Sequence, residues 1–134
     1  MAQGLTENRG VRQRPEEGFR RWFLNDYFEL IVWYDRQGGD VTGFQLCLDR
    51  NRFERAFTWT NEYASTHYVS DAYVEKGVSH LATGILKGAG RIVSVEETQR
   101  LIAEKGELGD DLLAFIVDKI EGYNVREGRR PLPQ

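Results

Sequence analysis

The sequence predicts an α+β fold: a four-stranded antiparallel β-meander, a small extra hairpin, and two C-terminal helices packed on one sheet face. Three observations support this prediction. Between residues 19 and 60, aromatic and β-branched residues alternate with polar ones, which is typical of half-buried strands. Short turn sequences interrupt that alternation. After residue 94, the apolar residues recur at helical spacing instead.

Four strands are predicted, each bounded by turn-forming residues: Phe19–Leu24, Tyr27–Arg36, Val41–Asp49 and Phe53–Thr60. Asn25-Asp26 suits a two-residue hairpin loop, since both residues tolerate a positive φ. At Gly38-Gly39, the match of apolar side chains favours a three-residue loop over a two-residue one. A one-residue slip would move every side chain of a strand to the opposite face. Arg50-Asn51 forms the third predicted turn.

These loops predict which residues lie opposite one another. The predicted pairs are Phe23 with Phe28, Tyr34 with Phe44, Leu48 with Phe53, and Phe44 with Phe57. One face is then apolar apart from two arginines, and its apolar residues are Phe19, Phe23, Phe28, Leu30, Val32, Tyr34, Phe44, Leu46, Leu48, Phe53 and Phe57. The opposite face is mixed and carries Trp22, Glu29, Ile31, Trp33, Gln45, Cys47 and Ala56.

The second half of the chain predicts the hairpin and the helices. Residues 61–77 have no clear period, and a small hairpin is predicted around Gly88-Ala89-Gly90. Ser94 and Glu97 form a capping box, which predicts a helix that ends at Gly106. Asp110 is predicted to cap a second helix. That helix has one apolar stripe, which consists of Leu112, Leu113, Ile116, Val117, Ile120 and Tyr123.

Length and composition indicate one domain in a chain of 134 residues. We expect a single α+β domain at 18–125, between a flexible N-terminal arm at 1–17 and a flexible C-terminal tail at 126–134. No apolar run is long enough to span a membrane, and the N-terminus lacks the apolar stretch of a signal peptide. The single cysteine, Cys47, excludes an intramolecular disulfide. A cytoplasmic protein without a cofactor is therefore expected.

The mixed sheet face indicates a partner surface. Trp22, Ile31 and Trp33 lie together on it, and exposed tryptophans are costly unless something covers them. A second copy of the chain, another protein, a ligand or the 61–93 segment are the alternatives. The leading hypothesis is a non-catalytic self-associating or protein-binding module, with a homodimer as the expected assembly.

The two arginines on the apolar face suggest an alternative function. The predicted registers place Arg21 and Arg55 there, on the outer strands of the meander. An inward arginine can bind a carboxylate or a phosphate, or it can pair with an acid such as Glu62. The alternative hypothesis is a small enzyme or a binding protein for a small anionic ligand, with a pocket near Arg21, Arg55 and His67.

Other site types are not favoured by the sequence. His67 and Asp71, with His80, have weak metal-ligand spacing, and we predict no metal site. Glu29 lies between aromatics but has no second catalytic group mapped beside it. Arginines alternate with aromatics in FRRWF and RNRFER, as in some nucleic-acid-binding proteins. However, those aromatics have core periodicity and the net charge is −3, so nucleic-acid binding is not expected.

Overall fold

A computed structural model describes residues 3–68 and 92–129 of the chain. Within them it has a six-stranded antiparallel sheet, in which the strands neighbour one another in chain order, and two α-helices. The strands are β1 (Thr6–Glu7), β2 (Phe19–Leu24), β3 (Phe28–Tyr34), β4 (Val41–Leu48), β5 (Arg55–Thr60) and β6 (Ala64–Tyr68). The helices are α1 (Val95–Ala103) and α2 (Asp110–Arg129), and a short 3-10 helix covers Pro15–Glu17.

The α+β class is confirmed, but the predicted number of four strands is wrong. β1 adds a strand beside β2, and β6 adds one beside β5. β1 has only two residues, too few for a period-two pattern to be visible in a polar segment. β6 lies in the stretch where the apolar pattern is weak. The hairpin predicted around Gly88-Ala89-Gly90 falls outside the described residues.

The predicted strand pairs are wrong by two residues at each hairpin, yet the predicted faces are right. Phe23 lies opposite Leu30 rather than Phe28, and Leu46 lies opposite Phe57. An even shift leaves every side chain on the same face of the pleat. The first shift has a local cause in the turn. The Asn25 side chain accepts hydrogen bonds from the backbone amides of Tyr27 at 3.0 Å and Phe28 at 2.7 Å, and the Asn25 amide donates to the Phe28 carbonyl at 2.9 Å. The turn is therefore centred on Asp26-Tyr27, one residue later than predicted.

The core lies between one sheet face and the two helices. Eight of its fully buried side chains come from the predicted apolar face: Phe23, Phe28, Leu30, Val32, Phe44, Leu46, Leu48 and Phe57. The helices contribute Leu101, Leu113, Ile116, Ile120 and Tyr123. The Phe57 and Tyr123 rings meet edge to face, with centroids 5.2 Å apart. The placement of Phe53 in this core is wrong: it lies in the turn before β5 and is 67% exposed.

The capping box predicted at the start of α1 is confirmed. The Glu97 backbone amide donates to the Ser94 hydroxyl oxygen at 3.0 Å, and the Ser94 amide donates to the Glu97 carboxylate at 2.9 Å. Each bond satisfies a backbone amide that the helix itself leaves unpaired.

Regular structure extends into both predicted end segments. Leu5 is 0% exposed, and its backbone amide donates to the Glu104 carbonyl at 2.8 Å. Gly106, at φ +50°, lies so close to Leu5 that an added Cβ would be 2.3 Å from the Leu5 carbonyl oxygen. At the other end, α2 continues to Arg129. The flexibility expected of residues 1–17 and 126–134 stays a prediction.

Because Leu5 is fully buried, we expect Leu5→Ala to lower the free energy of unfolding by about 2–5 kcal/mol. Urea denaturation of the full chain measures this difference. Val95→Ala is the matched control, since Val95 is 70% exposed and should change stability little. Equal effects of the two substitutions would contradict the packing of Leu5 in the core.

Candidate functional site

The sheet face away from α1 and α2 carries the residues predicted as an interface, and we call it the open face. Strand pairing arranges its side chains in three rows across the strands. Arg20 lies opposite Trp33, Trp22 opposite Ile31, and Glu29 opposite Cys47. The face therefore has a basic end, an apolar middle and an acidic end.

The predicted interface residues Trp22, Ile31 and Trp33 are each partly exposed on the open face. The Trp22 indole nitrogen donates to the Glu29 carboxylate at 2.8 Å, so its polar atom is satisfied within the chain. The apolar surfaces of the Trp22 and Trp33 rings remain partly exposed. α1 and α2 contribute to the core on the other side of the sheet and cannot cover them, whereas Gln13, Arg14 and Glu17 lie beside Trp33 at one end of the face.

At the acidic end, three potential metal ligands lie close together. Ligand atoms of Glu29, Cys47 and Glu54 are all within 4.8 Å of one another. Burial raises the pKa of the Cys47 thiol to about 11, and the nearby carboxylates oppose thiolate formation further. The thiol is thus neutral at pH 7, whereas metal binding uses the thiolate. The two carboxylates of the trio give the open face negative charge, and a metal ion bound there would have to displace the thiol proton.

The structure does not bring the predicted ligand residues Arg21, Arg55 and His67 together. His67 pairs with Ala56 and lies on the open face, whereas both arginines lie on the core face, as predicted. Arg21 and Arg55 are separated by three strand spacings of about 4.8 Å and four residues of about 3.3 Å, or roughly 20 Å. Ligand binding by any one of them stays a prediction.

Arg55 joins the sheet to α1. Its guanidinium forms an ion pair with the Glu97 carboxylate and donates to the Ile92 carbonyl at 3.2 Å. Burial alone would raise the pKa of Glu97, but the hydrogen bonds from Arg55 and Ser94 outweigh it and hold the pKa below the ordinary value of 4.5. Arg55 is therefore occupied by a structural contact.

Arg21 is paired in the same way at the opposite edge of the sheet. Its guanidinium donates two hydrogen bonds to the Glu7 carboxylate, at 3.0 and 2.9 Å, and a third to the Tyr34 hydroxyl at 3.4 Å. The bond from Arg21 lowers the pKa of Glu7. This two-pronged contact fastens β1 to β2.

A cleft of about 670 Å³ opens beside Arg21, between the sheet and the start of α2. Tyr34 and Val41 line it from the sheet, and Asp110 and Asp111 lie at its helical side. Sequence reasoning expected a pocket near Arg21, but it did not predict the helical wall of this cleft. It interpreted the two aspartates as a helix cap and first-turn acid, and nothing in the sequence indicates how far the helix end stands from the sheet.

No protein-family model, curated protein or solved structure matches this chain. The described helices also include none with the length and apolar character needed to cross a membrane. Functional interpretation therefore rests on the surfaces themselves.

The lowered pKa of Glu97 predicts a specific pH dependence. Its ion pair with Arg55 contributes stability that is fully present above the ordinary glutamate pKa of 4.5 and is lost as the pH falls through the lower folded-state value. Glu97→Gln should therefore be less stable than the wild type at neutral pH, and this difference should shrink in acid. Urea denaturation across that pH range measures it.

Glu96→Gln is the control, since Glu96 is the exposed neighbour on the same helix. It should keep the acid dependence of the wild type. A constant stability difference between Glu97→Gln and the wild type at all pH values would contradict the proposed contribution of the ion pair.

Proposed function

We propose that the chain is a non-catalytic self-associating module that forms a homodimer through the open face. The observation that carries this proposal is the cluster of partly exposed Trp22, Ile31 and Trp33 on the sheet face that α1 and α2 leave uncovered. Aromatic residues of this kind are enriched among the side chains that dominate binding energy at protein interfaces.

The charge pattern of the open face favours a second copy of the chain as the partner. In a face-to-face dimer, the two-fold axis lies in the interface plane. If it runs perpendicular to the strands, the basic end of one copy faces the acidic end of the other. Arg20 then approaches Glu29 and Glu54 of the second copy, while the apolar middles pack together. Two sheets packed with nearly aligned strands fit this geometry.

Two further proposals concern the location of the protein and its alternative function. A buried free thiol such as Cys47 suits a reducing compartment, which supports the proposal of a cytoplasmic protein. The alternative hypothesis, a pocket protein or enzyme, keeps one supporting observation, which is the cleft beside Arg21.

We expect Trp33→Ala to weaken the dimer by about 2 kcal/mol or more, which is roughly a thirtyfold rise in its dissociation constant. Sedimentation velocity over a concentration series measures this constant. Phe53→Ala is the control, because it removes an aromatic side chain that is 67% exposed but lies in a turn outside the open face. A wild-type protein that sediments as a monomer at every soluble concentration would overturn the proposal.

The two-fold arrangement predicts a charge-swap result. Arg20→Glu should weaken its own homodimer, because it places like charges opposite each other twice. Glu54→Arg should also weaken its own homodimer, because it places arginines opposite each other in both contacts. A mixture of the two variants should form a heterodimer, since both contacts then join opposite charges. Native mass spectrometry of the mixture resolves the three species.

Arg52→Glu serves as the control for net charge, since Arg52 is exposed in the turn that precedes β5. It should dimerise like the wild type. If the Arg20→Glu and Glu54→Arg variants gave no heterodimer enrichment, the proposed orientation of the two copies would be wrong.

A further inference from the structure

The cleft beside Arg21 lies on the helix side of the sheet and is separate from the open face. Its volume of about 670 Å³ is within the range of small-molecule sites in proteins, about 300–1,000 Å³. It is bounded by Arg21 and Tyr34 on the sheet and by the first turns of α2. The charges around the cleft that have no ion-pair partner determine which class of ligand it favours.

The arginine in the wall of the cleft, Arg21, is already paired with Glu7, which the exposed Arg9 outside the cleft also approaches at 3.6 Å. Arg21 is held by both oxygens of Glu7, and their contact distances of 2.9 and 3.0 Å leave little of its charge for a ligand. Its bond to Glu7 also raises the pKa of Arg21, so this arginine stays protonated at every physiological pH. The cleft is consequently a poor site for an anion, despite the arginine in its wall.

The acids at the rim of the cleft outnumber the cations. Asp110 forms an ion pair with Lys105, whereas Glu107 and Asp111 form none within the described part of the chain. Their two negative charges exceed the partial positive charge of about half a unit at the start of α2. The net field in the cleft favours a cation.

The rim acids do not form a metal site. Glu107, Asp110 and Asp111 are not among the described groups whose ligand atoms converge within 4.8 Å. A divalent cation needs several oxygen ligands around one point. Separate carboxylates along a rim suit hydrogen bonds from an ammonium or guanidinium group instead.

The rest of the wall is apolar and aromatic. Val41, Leu108, Leu112 and Phe115 line the cleft, together with the Tyr34 ring. Such a wall removes apolar ligand surface from water at about 25 cal/mol per Å². A ligand with an apolar body and one cationic head would use both the wall and the rim.

We propose that this cleft binds a small amphipathic organic cation, with its amine at Asp111 and Glu107 and its apolar body against Leu112 and Phe115. Glu107 also accepts a hydrogen bond from the Glu7 backbone amide at 3.0 Å, which fixes the orientation of its carboxylate. The Tyr34 hydroxyl, which accepts a hydrogen bond from Arg21, retains its own proton to donate to a polar ligand atom.

Three probes with the same phenylethyl body test the proposal: phenethylamine, phenethyl alcohol and hydrocinnamate, which carry a positive, neutral and negative head. Titrations of the isotope-labelled full chain by NMR report the affinity and the amides that respond. We expect phenethylamine to bind most tightly, with saturable shifts at residues 109–112. Hydrocinnamate should bind most weakly.

Asp111→Asn should reduce the affinity for phenethylamine about fivefold, the upper end for a solvent-exposed ion pair. Adding Glu107→Gln should reduce it further, since the amide keeps an acceptor oxygen for the Glu7 amide but loses the charge. Asp118→Asn is the matched control. It removes one exposed acid from the same helix outside the cleft and should leave the affinity unchanged.

Equal or tighter binding of hydrocinnamate at residues 109–112 would overturn the proposal. So would an Asp118→Asn effect as large as that of Asp111→Asn, because the attraction would then come from the overall charge rather than the cleft. This test does not depend on dimerisation. Dimerisation is tested separately with the Trp33→Ala variant, whose substitution lies on the opposite face of the sheet.

Discussion

The contact between the aromatic sheet face and α2 is the constraint on which the other features depend. Burial of one face fixes the parity of every strand, because a one-residue slip would expose the whole set of core side chains. Once Phe44, Phe57 and Tyr123 are packed together, the residues between them in the strands must point the other way. Trp22, Ile31 and Trp33 are therefore on the open face as a consequence of where the core lies.

The same burial determines what happens to the two core-face arginines. Covering that face removes water from the margins of the sheet, and a guanidinium there needs a partner to offset its lost hydration. At one margin the partner is Glu7 on β1, and at the other it is Glu97 on α1. Each ion pair therefore fastens a peripheral element to the sheet. Both arginines thus have a structural role at the margins of the sheet, and ligand binding by either of them stays a prediction.

The sequence was sufficient to predict the fold class, the strand faces and the capping box of α1, since each depends on local periodicity or spacing. It was insufficient for the exact registers, because the position of a turn depends on side-chain contacts such as those of Asn25. β1 escaped prediction because the burial of Leu5 depends on its fit beside Gly106, about a hundred residues away. A pocket near Arg21 was expected, but its helical wall escaped prediction for the same reason, since it comes from residues 107–115.

β2 contributes to both proposed surfaces, the open face and the cleft, because its consecutive side chains point to opposite sides of the sheet. Arg20 and Trp22 belong to the open face, whereas Arg21 and Phe23 point to the core side, where the cleft lies. β2 is held between β1 and β3, so small movements of one surface are resisted by backbone hydrogen bonds on both sides. Coupling between the surfaces would require this strand to have a second stable position. With β2 in a single position, the proposed cation binding and the proposed dimerisation should be thermodynamically independent of each other.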